Sequence, residues 1–363
     1  MFPPMIPLQG VTGEDLCEGV AGIAIEDARR IVAQVHRGED PSTPSSGIRR
    51  SARDAVLARG HVPQLELVSE RRSQVDPFVK YALRTGDAHV IETVRIPLEV
   101  PGRFVVCVSS QVGCALGCTF CATGRMGLTR NLETWEIIEQ VRVVLRGIEG
   151  EARRPPQRAR VHGVVFQGMG EPMANLDRVL AAIRVMSEPS ALAIDARNIT
   201  VCTSGLPAGI RRLAAEAPKV RLGLSIASAR RDVRRSLMPI DRAHDLADVM
   251  SAAAEHVAAT GLAPMWAVTL LSGVNDTVAD AEALADQVLA FRERTGKNPR
   301  LSVIPYNAID DGPEGQADPF LRTSDDREDA FRDALRARGV FTHKRYSGGG
   351  DVGAACGQLA ARA

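Results

Sequence analysis

From about residue 88 onward, short runs rich in Val, Ile and Leu alternate with longer stretches of helical periodicity, and this rhythm leaves few folds open. HVIETVRIP leads in as a strand. RFVVCVSS, VHGVVFQG, NITVCTSG, KVRLGLSIAS, APMWAVTLL and RLSVIPYN follow, each ending in polar or small residues. Between these runs lie LETWEIIEQVRVVLRG, NLDRVLAAIRVMSE, AGIRRLAAEA, HDLADVMSAAAEHVAAT and DAEALADQVLAFRERT. Such alternation implies parallel strands covered by helices. With RFVVCVSS as the first, six strand–helix units predict an α/β fold, a partial (β/α)6 barrel rather than a closed eight-stranded one. Chemistry in such barrels collects at the carboxyl ends of the strands. The residues just after each run are therefore the candidates for function.

The N-terminal part has another rhythm. Residues 20–37 place Ile25, Ala28, Val32 and Val35 at helical spacing, the loop GEDPSTPSSG follows, and residues 49–60 read as a second, basic helix. Three regions are expected: a small helical unit over 1–85, the barrel over 86–345, and a C-terminal segment over 346–363. The 363 residues are 45% apolar, enough for a sizeable core, and the net charge of +1 gives no global sign of a nucleic-acid binder. Any such footprint has to be local, in Arg clusters such as Arg29/Arg30, Arg49/Arg50/Arg53 and Arg153/Arg154. The start, MFPPMIPLQG, lacks the pattern of a secretory signal, and no apolar run is long enough to span a membrane. A cytoplasmic location is expected, where close-set cysteines more often bind metal or do catalysis than form a disulfide framework.

Four of the seven cysteines fall within CVSSQVGCALGCTFCATG, just after the first barrel strand. Cys114, Cys118 and Cys121 are spaced C-x3-C-x2-C, with Cys107 upstream. A structural zinc site usually takes four protein ligands, and no histidine follows at finger spacing. An iron–sulfur cluster held by three thiolates leaves one iron open to a substrate or cofactor. A zinc site borrowing a distant ligand is the alternative.

The spacing is the motif of the radical S-adenosylmethionine (SAM) enzymes. Together with GMGEP at 168–172 and AACGQL near the C-terminus, the chain resembles the RlmN/Cfr family of radical-SAM RNA adenine methyltransferases. The resemblance begins near residue 79 and covers roughly three quarters of the chain. It implies a [4Fe–4S] cluster on Cys114, Cys118 and Cys121, with SAM chelating the open iron. Gly170 and Glu171 would bind the SAM amino group. Family members usually read STSG and SLHA after the third and fourth strands; here the stretches are CTSG, with Cys202 first, and SIASA. Ser225 matches, Ile226 follows it, and Ala227 stands where the family has histidine. Asn307 in IPYN matches the family's SAM-contacting asparagine.

The resemblance also assigns two cysteines beyond the cluster. Cys356, with glycines at 348–350 and 353 before it, matches the methyl-carrying cysteine. Adenine C2 and C8 are too poor as nucleophiles to attack SAM, so the family uses SAM twice. One SAM methylates Cys356; a second yields a radical that takes hydrogen from that methyl, and the carbon adds to the adenine. Cys107 matches the cysteine that frees the product by forming a transient disulfide with Cys356. Glu92 matches the general base, with Glu99 a weaker rival. The implied substrate is ribosomal RNA, for some members transfer RNA, presented as a flipped or single-stranded adenosine. An electron donor such as flavodoxin, and a monomeric state, are expected. The CTSG and SIASA departures leave open a paralogue that methylates another position such as C8. A non-catalytic iron–sulfur RNA-binding protein is the reading from another class, but binding alone would need neither Cys107, Cys356 nor Glu92.

Overall fold

The computed structural model describes residues 5–151, 160–309, 318–344 and 347–360. Three helices, α1 (Gly13–Gly19), α2 (Ile25–His36) and α3 (Arg50–Leu57), form the N-terminal unit. The Thr12 hydroxyl accepts from the Asp15 N–H while the Asp15 carboxylate accepts from the Thr12 N–H, and this reciprocal cap starts α1. The inner faces bury Leu8, Leu16, Ala28, Ile31, Val32, Val35 and Val56 in a core of their own.

One ten-stranded sheet carries the rest. Its strands are β1 (Glu66–Arg72), β2 (Val79–Arg84), β3 (Val90–Pro97), β4 (Arg103–Val108), β5 (Arg160–Phe166), β6 (Ile199–Thr203), β7 (Arg221–Ser225), β8 (Met265–Leu270), β9 (Arg300–Pro305) and β10 (Thr342–Lys344). Sequence neighbours are spatial neighbours throughout. From β4 to β10 every pairing is parallel, and β1 to β4 pair antiparallel. The crossovers are made by α4 (Thr134–Glu151), α5 (Leu176–Ser187), α6 (Pro207–Glu216), α7 (Arg231–Leu237), α8 (Leu246–Thr260), α9 (Val278–Thr295) and α10 (Asp325–Ala337). Gly261 and Gly296, at φ of 70° and 69°, end α8 and α9 in the left-handed conformation that a side chain would strain. The edges β1 and β10 each have one partner, so the barrel is partial, as the six units predict.

Two features differ from expectation. A seventh parallel strand, β10, follows the sixth unit. The strands β1 and β2 lie inside the stretch 1–85 expected to be helical, and they extend the main sheet. Their sequences hide this. β1, ELVSERR, is an exposed edge with almost no apolar face, and β2, VKYALR, is buried on both faces, so neither alternates. No helix among the described residues is long and apolar enough to cross a membrane.

Candidate active site

The parallel pairing of β4 and β5 sets two loops side by side at their carboxyl ends, and the chain stitches them together. The Ser110 and Gln111 N–H groups donate to the Met169 carbonyl at 2.8 and 3.2 Å, and the Gly168 N–H donates to the Val108 carbonyl at 3.1 Å. The Met169 N–H donates to Ser109 Oγ at 2.9 Å, and the Glu171 N–H to Gln111 Oε1 at 2.8 Å. GMGEP is thus fastened to the strand that leads into the cysteine loop. Gly170 is at φ 97°, and a Cβ there would meet Gln111 Cβ at 2.5 Å, so only glycine fits without displacing the loop.

A cleft of about 970 Å³ opens at these strand ends. Cys114, Cys118 and Cys121 line it together with Gly170, Glu171, Cys202, Ser225, Ala227 and Cys356. Most of the residues expected to hold the cluster and SAM therefore do converge. Ile226 does not line the cleft; its side chain is wholly buried in the core, because successive side chains at a strand end face opposite ways. Asn307 does not line it either: its amide donates to Ser347 Oγ at 2.8 Å and to the Cys356 carbonyl at 3.4 Å, holding the C-terminal segment. Gln167, Thr203, Ser204 and Tyr306 also line the cleft and were not singled out by sequence. Their signal is position, one or two residues past a strand's apolar run.

Glu171 is buried, and burial pushes its carboxyl above the ordinary carboxylate value. Its Oε1 accepts from the Met173 N–H at 3.0 Å and its Oε2 from the Ser204 N–H at 2.9 Å. A carboxylate that burial disfavours is a receptive partner for a cation such as an ammonium group.

The same burial raises the thiols of Cys114, to about 11, and Cys118, to about 12, and raises Cys121. Three thiols collected here ionise only with positive charge among them, which bound metal supplies. Among the described residues no three His, Cys, Asp or Glu side chains converge closely enough to hold a metal ion, yet the three cysteines wall one cleft. Three cysteines on one cleft are the donor set that an iron–sulfur cluster with one open iron takes.

A second cleft, of about 630 Å³, lies beside the first. Cys107, from β4, and Cys356 both line it. Cys356 thus lies on both clefts. No disulfide joins Cys107 to Cys356 in this structure, and the resemblance implies one only transiently. The segment carrying Cys356 is held from several sides. The Ala122 N–H donates to the Gly357 carbonyl at 2.8 Å, Thr123 Oγ1 to the Leu359 carbonyl at 2.6 Å, and the Gly349 N–H to Asp76 Oδ2 at 2.8 Å. Glu92, fully buried on β3, pairs with Lys80 Nζ at 2.9 Å through Oε1, and its Oε2 accepts from the Ala360 N–H at 2.8 Å. It lines neither cleft. Glu99 lies on the exposed turn after β3.

The expected arginine clusters divide. Arg30 and Arg50 are exposed, Arg29 pairs with Glu14, and Arg49 pairs with Asp27 at 2.6 Å. Arg53 is buried on the inner face of α3 and offers RNA no contact, because the apolar face of this short helix carries it inward. Arg153 and Arg154 lie outside the described residues.

The radical SAM superfamily model matches residues 108–288. A probable RNA methyltransferase of Sorangium cellulosum is 59% identical over 355 residues, covering 94% of this chain and 89% of that one. The dual-specificity RNA methyltransferase RlmN of Syntrophobacter fumaroxidans is 37% identical, covering 96% of each. The crystal structure of a radical SAM methyltransferase from Sphaerobacter thermophilus superposes with a TM-score of 0.84 at 35% identity, covering 99% of this chain and 100% of that one.

Proposed function

The chain belongs to the RlmN/Cfr family of radical-SAM RNA methyltransferases, and on that premise we propose that it methylates C2 of an adenosine in RNA through a methyl group carried on Cys356. The observation that supports this most is the place of Cys356 on both clefts, one walled by the three clustered thiols and the other by Cys107.

Cys114, Cys118 and Cys121 are the residues that would hold the [4Fe–4S] cluster, and Gly170, Glu171, Cys202, Ser225 and Ala227 those nearest the SAM that binds it. The cluster, when bound, supplies the electron that splits SAM into methionine and a hydrogen-abstracting radical. The remaining work falls to this chain's side chains. Cys356 Sγ takes a methyl group from a first SAM, losing its thiol proton and releasing S-adenosylhomocysteine. Once that methyl has lost a hydrogen atom to the radical, its carbon joins the adenine carbon, and Glu92 takes the ring proton while the adduct would return to the bound cluster the one electron spent on splitting SAM. The Cys107 thiolate then attacks Cys356 Sγ. The carbon–sulfur bond breaks, the disulfide forms, and the methylene carbon left on the base gains a proton to become methyl. Two electrons from an external reductant restore the thiols; a flavodoxin-like donor fits the one-electron supply.

Glu92 bears on the order of events. The Ala360 N–H and Lys80 hold its carboxylate, so it serves as a base once the tail's amide has moved away. Ribosomal RNA, or transfer RNA, presents the adenosine unstacked. The test is mass analysis of nucleosides from RNA incubated anaerobically with the reconstituted protein, SAM and a reductant. The reading predicts 2-methyladenosine together with 5′-deoxyadenosine. 8-Methyladenosine would move the target carbon, and SAM left uncleaved in the presence of RNA would remove the radical mechanism.

A further inference from the structure

The loop after β7 lacks the histidine that the family carries at position 227, yet hydrogen bonds from buried side chains outside the cleft's lining hold it. Arg234, at the middle of α7, is wholly buried. Its Nη1 donates to the Ser225 carbonyl at 3.2 Å and also to the Ile226 carbonyl, and its Nη2 donates to the Ser204 carbonyl at 2.9 Å. Its Nε is fixed by Asp241 Oδ1 at 3.0 Å, in a pair with neither side chain exposed. One guanidinium therefore ties the loop after β6 to the loop after β7. From the other side, buried Asn275 donates to the Ala227 carbonyl at 2.7 Å and to the Thr269 carbonyl at 2.8 Å, while its Oδ1 accepts from the Leu271 N–H at 2.7 Å. Between these holds Ala227 sits at φ 55°, a left-handed conformation that costs an alanine free energy and persists where its surroundings impose it.

We propose that Arg234 and Asn275 are positioning residues that shape the SAM pocket, presetting the backbone of Ser204 and Ser225–Ala227 so that these loops receive SAM without a histidine side chain. The proposal rests on the reading of this cleft as the SAM site. The planar fork of arginine suits it to several carbonyls at once, which lysine does not reproduce. A ligand that meets loops already in place avoids the cost of ordering them on binding.

The test is anaerobic equilibrium dialysis of SAM against cluster-reconstituted protein, with the electron paramagnetic resonance spectrum of the reduced cluster and the melting temperature recorded for each variant. Arg234→Met with Asp241→Leu removes the ion pair without leaving one buried charge alone. Asn275→Leu keeps the size and removes the amide, and it carries the test by itself if the double variant does not fold. Each is expected to raise the Kd for SAM at least tenfold with iron content intact, and the loss falls mainly on KM for SAM. Arg234→Lys is expected to recover only part of the affinity. Glu171→Ala, measured alongside, reports on the site itself. If Glu171→Ala weakens SAM binding and the clamp variants bind as the wild type does, the clamp is wrong and the site stands. If Glu171→Ala binds SAM unchanged, the site assignment fails, and the clamp's purpose with it.

Discussion

Glu171 shows how a single side chain trades stability for binding. Burial raises its carboxyl above the ordinary 4.5, so the folded chain without SAM holds this proton more tightly than the unfolded chain does. The contribution to stability is full below about pH 4.5 and is lost as pH rises through the raised value. Glu171→Gln removes the titration. Without SAM, this variant is expected to gain stability over the wild type as pH rises from about 4.5 through the raised value and to keep that gain above it, as measured by thermal unfolding across pH. It is also expected to lose about 10- to 100-fold in SAM affinity, the worth of a charge-assisted bond. Equal affinity by titration would reduce GMGEP to a turn. At this scale the cysteines were legible because thiolate spacing is itself chemistry. Ile226 was not, since a motif gives a side chain's place along the chain but not the face it turns to, and it is buried in the core; Asn307 instead reaches the Cys356 carbonyl, which no spacing reveals. Arg234 and Asn275 left no mark because their work is done on carbonyls, which every residue has.

Among the elements, the C-terminal segment matters most, and its glycines set how closely it lies. Gly348 packs against the Phe78 ring so tightly that a Cβ would collide with it, and Gly349 stands at φ 72°. Gly348→Ala is expected to lift the segment from Phe78 while the separate loop of Cys114, Cys118 and Cys121, proposed to hold the cluster, stays in place. RNA methylation should fall at least tenfold, while SAM affinity and iron content remain near those of the wild type. A variant with full methylation would show that the docked position of the tail is not used in turnover. The strands and helices of the barrel were readable because buried parallel strands and amphipathic crossovers have distinct periods. β1 and β2 escaped because one is a polar edge and the other is buried on both faces around Lys80, whose partner Glu92 comes from a different strand.

For the whole molecule, three cysteines line one cleft at the mouth of a partial barrel, and the proposed role for them is to hold a [4Fe–4S] cluster. Anaerobically prepared protein is expected to be brown, with about four irons per chain. Replacing Cys114, Cys118 or Cys121 by Ala should remove the colour, and replacing Cys17, in the N-terminal unit, should not; colourless protein with stoichiometric zinc after reconstitution contradicts this. The central claim is that Cys356 carries the methyl carbon and Cys107, almost 250 residues away in sequence but on the same cleft, then releases it by attacking Cys356 Sγ. Cys107→Ala leaves methyl transfer and radical attack intact and removes the thiolate that frees the product. Expressed in cells and run on a denaturing gel with and without ribonuclease, that variant should carry RNA joined to Cys356 by a methylene bridge, identified by peptide mass spectrometry. The Cys107→Ala/Cys356→Ala double variant should carry none. Cys107→Ala protein that carries no nucleotide and methylates RNA at the wild-type rate would contradict the pairing.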